Sequence, residues 1–139
     1  MQAADAVIVA GLSSELGYPV TAELITQRIS LLSAQAAQQL FVAEHLQQGL
    51  VGWVHVYGVQ PFQADQYAEI GGLVVGALAR RTGAGKALMR AAEAWASEHG
   101  YTSIRLRSGM HRPEAHLFYA ALGYGNVRES MMFRKMLLK

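Results

Sequence analysis

Leu73-Val74-Val75-Gly76-Ala77-Leu78-Ala79-Arg80-Arg81-Thr82-Gly83-Ala84-Gly85-Lys86 is the stretch on which the fold turns. It opens as the end of a strand over 67–75 that becomes apolar on both faces at Leu73-Val74-Val75, the pattern of a strand near the middle of a sheet. It closes as the start of a helix over 83–99, with Leu88, Ala92, Trp95 and His99 on one stripe and Gly100 placed to cap the far end. Between them lies a turn with two glycines. There the backbone N–H groups and the positive end of a helix converge, and Arg80, Arg81 and Lys86 add charge, an arrangement suited to a pyrophosphate.

Two common phosphate loops do not fit these residues. A Walker A loop needs Gly at position 80 and Ser or Thr at 87, where the chain has Arg80 and Ala87. A dinucleotide fingerprint needs a third glycine where Leu88 stands, and a parallel βαβ unit that the upstream pattern does not provide.

Upstream of the turn, a rough apolar stripe through Val7, Ala10, Gly11 and Leu12 predicts a helix over 4–16, broken at Gly17-Tyr18-Pro19. Thr21 as a cap, Glu23 in the first turn and a face of Leu24, Ile25, Ile29 and Leu32 predict a second helix ending near Ser33. Residues 40–44 and 50–60 are rich in β-branched and aromatic types and read as an antiparallel hairpin. Val51, Trp53, His55, Tyr57 and Val59 share one face of it. Downstream, 103–107 reads as a short strand. Pro113 then opens a helix carrying Ala115, Phe118, Tyr119 and Leu122 to a stop at Gly123, and 126–138 reads as a last strand or hairpin. This order of elements, without an internal repeat, predicts an α/β sandwich about a mixed sheet, in a single domain spanning 1–139.

The totals narrow the function. Hydrophobic residues make up 52% of the 139 and charged ones 16%, ample for one core. Twelve Lys and Arg against ten Asp and Glu leave +2, too little to mark a nucleic-acid binder. The basic residues gather at 80–90 and 128–139, which suits a small polyanion better than a duplex. The absence of cysteine excludes disulfides, thiolate metal sites and an S-acyl enzyme. Met1 to Asp5 lacks a basic leader, and no apolar run approaches the ~18–20 residues of a membrane span. A cytoplasmic protein without a membrane partner is expected.

Arg80-Arg81-Thr82-Gly83-Ala84-Gly85 resembles the acyl-CoA pyrophosphate loop of the GNAT superfamily of N-acetyltransferases: Arg or Gln, two residues, Gly, one residue, Gly or Ala. Leu73-Val74-Val75 precedes it at the family's offset, and Ala115-His116-Leu117-Phe118-Tyr119-Ala120-Ala121-Leu122-Gly123-Tyr124 resembles the family's C-terminal helix motif. The resemblance runs from about residue 12 to the end and is strongest over 68–124. It implies a GNAT-like α/β fold, a central mixed and mostly antiparallel sheet flanked by helices, with acetyl-CoA as cosubstrate. The pantetheine arm would pair with the backbone of Leu73, Val74 and Val75, in a wedge where that strand splays from 103–107. The pyrophosphate would lie on the turn formed by Arg80, Arg81, Thr82, Gly83, Ala84, Gly85 and Lys86.

Acetyl transfer to an amine requires a base, because an amine of pKa ~10.4 exposes its lone pair at neutral pH only at a cost of roughly 4 kcal/mol. The resemblance implies Glu69, eleven positions before Arg80, where histone-acetylating relatives carry a catalytic glutamate. His55 is the reserve base, and a structural pairing of Glu69 with Arg105 or His55 is the competing reading. Backbone amides at Leu73 or Val75 are expected at the oxyanion. Tyr119 aligns with the family's general acid for the thiolate; the plainer reading is a core tyrosine with a satisfied hydroxyl. His111 and His116, five apart without a carboxylate cluster, predict no metal site. Ser108 and Ser130 lack a nucleophile elbow, so direct transfer in a ternary complex is expected.

The chain departs from the family pattern in four places. It starts almost at its first helix, so the sheet is expected to lack the usual first edge strand, and the exposed edge favours a homodimer. Arg112 stands where Asn is usual, Arg81 where Gly is frequent, and Ala77 where Pro is common. The expected acceptor, from compact size, is a primary amine of a small molecule. A protein lysine or N-terminal amine, and a CoA-binding regulatory domain without turnover, remain as alternatives.

Overall fold

The computed structural model describes residues 1–108 and 113–137; the sequence readings at His111, Arg112 and residue 138 fall outside them. It comprises two compact units, Met1–Arg107 and Ser108–Lys139.

In the first unit a 3-10 turn, Ala3–Asp5, leads into α1 (Ala6–Glu15), followed by α2 (Ala22–Ser33). The α2 start is fixed as its sequence predicts: Thr21 is extended, and its Oγ1 accepts from the Leu24 amide at 3.2 Å. Three strands follow, β1 (Gln38–His45), β2 (Gly49–Val59) and β3 (Tyr67–Val75), then a 3-10 turn at Ala77–Ala79, α3 (Ala84–Glu98) and β4 (Ile104–Arg105). The sheet order is β1-β2-β3-β4, antiparallel except for the parallel β3–β4 pair, so β3 is interior as its apolar end predicts. β1 is an edge among the described residues; the Met1 ammonium donates to its Leu40 carbonyl at 3.3 Å.

Opposite faces of the sheet carry different helices. A Cβ on Gly52 would meet the Leu88 side chain of α3 at 3.1 Å, whereas the neighbouring Trp53 donates its indole N–H to Ser13 Oγ of α1 at 3.1 Å. Val54, Val56, Ala68 and Ile70 fill the α3 side with Leu88, Met89, Ala92 and Trp95. Ser13, buried among apolar residues, is satisfied on both sides because its hydroxyl also donates to Val9 O at 2.8 Å. His99, expected on the buried stripe, instead caps α3, with its ring stacked on Trp95 at 4.6 Å.

The β2–β3 ladder contains one irregularity that the sequence pattern does not announce. Gly72 pairs with His55 and Ile70 with Val56, leaving Gly71 as an extra residue on β3. A Cβ on Gly71 would lie 2.7 Å from His55 Nδ1, and one on Gly72 would lie 2.9 Å from the Trp53 ring. Only glycine leaves room for these rings against the strand.

The strand expected over 103–107 is reduced to two residues, paired only as Ala68↔Ile104 and Glu69↔Arg105. A bulge bends its strand and raises the local twist. β3 bulges just past Glu69, and its ladder with β4 ends there.

The second unit contains α4 (Pro113–Ala121), closed by the amides of Gly123 and Tyr124 on the Ala120 and Tyr119 carbonyls, both at 3.0 Å. The strand or hairpin expected over 126–138 is absent from its described part, residues 126–137. A strand needs a backbone edge to pair with, and the only regular element described in this unit is a helix, which has none. Met131, Met132 and Phe133 are exposed there.

Candidate active site

The turn after β3 is built from backbone. Gly76 N–H donates to Val51 O at 2.8 Å, Ala77 N–H to Glu15 Oε1 at 3.1 Å, and Ala79 is buried beneath the turn. Thr82 is tied back through both its amide, at 3.2 Å, and its hydroxyl to the Ala79 carbonyl. Gly83 is the N-cap of α3 with φ +88°, and the first helical bond runs from Ala87 N–H to Gly83 O at 2.9 Å. The amides of Gly83, Ala84, Gly85 and Lys86 therefore have no protein acceptor among the described residues. No side chain caps this end. Arg80, Arg81 and Lys86 are exposed around it. Arg81 holds φ +66°, in the left-handed region, which accounts for glycine being the family's frequent choice there.

The strand before the turn is open on one side. Backbone groups in a strand alternate between its two edges. Gly76 N–H faces β2, so Val74 also faces β2, while Leu73 and Val75 turn their N–H and C=O away from it, to the side where β4 pairs only with Ala68 and Glu69. This unpaired edge leads directly to the four free amides.

On the α1 face of the sheet, below this edge, lie the titratable candidates. Glu69 is half-buried and sits directly opposite Tyr57, whose hydroxyl donates to Glu69 Oε2 in a short bond. Burial, and then the bonded carboxylate, push Tyr57 up to about 12, so the phenol remains a donor throughout the physiological range. His55 contacts the Tyr57 ring at 5.0 Å between centroids, and its Nε2 lies 2.6 Å from Gln38 Oε1. Burial lowers the His55 pKa, leaving the imidazole neutral near pH 7. With Nε2–H donating to Gln38, Nδ1 carries the lone pair. The pairing of Glu69 with Arg105 is not made: the Arg105 guanidinium lies over the Tyr67 ring, 3.8 Å from its centroid.

The structure thus brings Glu69 and His55 to one face and joins Leu73 to Val75 with the turn at Arg80 to Lys86. Tyr119 belongs to the second unit, on α4, edge-to-face with Phe118 at 5.2 Å and Tyr124 at 6.0 Å. Sequence reading passed over Tyr57 and Gln38. The alternation in β2 puts Tyr57 on the right face, but its partnership with Glu69 depends on a register fixed by the β2–β3 pairing around the bulge. Glu15, 62 positions from Ala77, leaves no local signal at all.

No helix among the described residues is long and apolar enough to cross a membrane. The family model described as acetyltransferase (GNAT) family matches residues 12–124. No curated protein is matched by the sequence. Among solved structures, a protein of Agrobacterium tumefaciens str. C58 described as an acetyltransferase superposes with TM-score 0.84 at 22% identity, covering 97% of this chain and 96% of its own. AAC(6')-Iy in complex with the bisubstrate analog CoA-S-monomethyl-acetylneamine gives TM-score 0.83 at 16% identity, over 99% and 95%. The aminoglycoside antibiotic 6'-N-acetyltransferase AAC(6')-Ih from Acinetobacter baumannii gives 0.79 at 20%, over 99% and 95%. Family model, sheet topology and turn agree: the chain belongs to the GNAT family of acetyl-CoA-dependent N-acetyltransferases.

Proposed function

We propose that this acetyltransferase transfers the acetyl group of acetyl-CoA to a primary amine of a small molecule, by direct attack in a ternary complex. The carrying observation is two sets of unpaired backbone donors joined by one turn, Leu73 and Val75 on the open edge of β3 and the amides of Gly83, Ala84, Gly85 and Lys86 at the start of α3. It is a cradle for an elongated, amide-bearing polyanion, and it fits CoA: the edge suits the pantetheine amides, and the helix start, with Arg80, Arg81, Thr82 and Lys86 around it, suits the pyrophosphate. Acetyl-CoA supplies the thioester. The chain supplies the rest: Glu69, directly or through a water, takes the amine proton, the N–H of Leu73 or Val75 donates to the oxygen that gains charge, and Tyr119 protonates the departing thiolate.

The small-molecule acceptor is supported by the aminoglycoside acetyltransferases among the similar folds. A single domain is supported by the family model, which runs through both units. The open β1 edge supports a homodimer, and the absence of a spanning helix is compatible with the cytoplasm. The test is calorimetric titration with acetyl-CoA and desulfo-CoA, followed by CoA release across amines, polyamines, amino acids, aminoglycosides and lysine peptides. Binding with turnover on small amines is expected, with Tyr119→Phe lowering kcat by roughly 10² and leaving CoA affinity unchanged. Turnover confined to peptides would move the acceptor to protein amines. Binding without turnover would make this a regulatory domain, and no binding at millimolar ligand would overturn the site.

A further inference from the structure

Resting on the reading of Glu69 as the base, we propose that Tyr57 is its positioning residue: the hydroxyl binds one carboxylate oxygen and leaves the other to meet the acceptor amine's proton. Tyr57 and Glu69 are direct cross-strand partners, and the hydroxyl donates to Oε2, so Oε1 is the oxygen left for the proton. The amine proton passes to Oε1 as the N–C bond forms and the C–S bond breaks; Tyr57 keeps its own proton throughout.

The ring that aims this hydroxyl is itself held. His55 lies against it, and His55 is fixed in turn by Gln38 Oε1 at 2.6 Å. Gly71 completes the seat, because a Cβ there would lie 2.9 Å from a Tyr57 ring carbon. The bulge glycine, the His55–Gln38 pair and the Tyr57–Glu69 bond thus form one chain of contacts ending at the carboxylate. An unaided glutamate rotates freely about its last bond and presents either oxygen; tied at Oε2, it presents one.

The other charged and titratable groups around the pair do not compete for the carboxylate. On β2, His55 is neutral by burial and engaged with Gln38. From β4, Arg105 is committed to the ring of Tyr67 on β3, and Arg107 beyond it acts weakly on Tyr57, opposing the rise in its pKa. From α1, Glu15 is occupied by the Ala77 amide. Burial and the bonded carboxylate keep Tyr57 protonated up to about 12, so it cannot act as the base in place of Glu69.

The experiment compares wild type, Tyr57→Phe, Glu69→Gln and the double variant in the full chain, with acetyl-CoA and the best amine found above. Tyr57→Phe is expected to lower kcat about 10-fold, with KM for acetyl-CoA unchanged. The double variant should be no slower than Glu69→Gln alone. Tyr57→Phe with wild-type melting and kcat within twofold would overturn the proposal, as would a double variant slower than Glu69→Gln. A Glu69→Gln enzyme at full rate would remove the base assignment itself, a failure distinct from a silent Tyr57→Phe in an enzyme that Glu69→Gln inactivates.

Discussion

The two halves of β3 are built on different principles. In the half from Tyr67 to Glu69 the strand is paired on both edges at Ala68 and Glu69, its carboxylate is bound by a cross-strand tyrosine, and a guanidinium covers its first ring. At Leu73 and Val75 it is paired on one edge only, carries no titratable side chain, and runs into a turn whose amides are free. The first half holds side chains still; the second keeps backbone available. Placing both on one strand, either side of a bulge, fixes the distance between the Glu69 carboxylate and the free backbone donors without a flexible loop.

The largest test of this contrast acts on the open half. Gly83→Val puts a β-branched residue at φ +88°, which distorts the turn and turns its amides away. Acetyl-CoA affinity should fall by roughly 10²-fold by calorimetry, with urea stability changing far less. The joint between the halves comes next. Gly72→Ala drives a methyl into the Trp53 ring, at 2.9 Å, and should destabilise the fold by about 1–3 kcal/mol in urea denaturation. Arg81→Gly works in the other direction. It relieves a left-handed arginine and should raise stability by about 0.5–1 kcal/mol, while weakening acetyl-CoA binding only a few-fold through the lost cation.

The smallest effect belongs to His55 on β2, beside the Tyr57 ring that binds Glu69, and depends on pH. His55 is held below its ordinary 6.5 by burial, so as pH falls the unfolded chain takes up this proton before the folded chain does. Stability is therefore full above about 6.5 and lost as pH drops from there toward the folded value. Melting temperatures from pH 8 to 5.5 should fall less steeply for His55→Gln than for wild type. Identical slopes would mean that the imidazole is as solvated folded as unfolded.

Much of this was legible in the chain. The apolar triplet Leu73-Val74-Val75, the two glycines at the turn and the capped helix after it are local signals, and the structure repeats them almost residue for residue. The Glu69 position was reached by offset from the turn. What stayed hidden was non-local. The partner of Glu69 depends on how β2 and β3 register, and the bulge at Gly71 offsets a count by two along β3 by one residue, putting Glu69 and Val74 on one face although they are five positions apart. The strand expected over 126–138 failed for a related reason, since its apolar residues describe a strand without naming an edge to receive it.

The bulge has an evolutionary corollary. Gly71 is one residue added to a ladder that would be regular without it, so its loss is a single-codon deletion that keeps every other pairing of β2 with β3. A straighter β3 would let β4 zip further along it, closing the open edge with new backbone bonds. Such a deletant should melt higher and lose retention on immobilised CoA, and equal retention would show that the splay has another origin. On this reading the edge that leaves Leu73 and Val75 unpaired costs the fold backbone bonds, and the shortest mutational path away from CoA binding runs toward a sturdier protein.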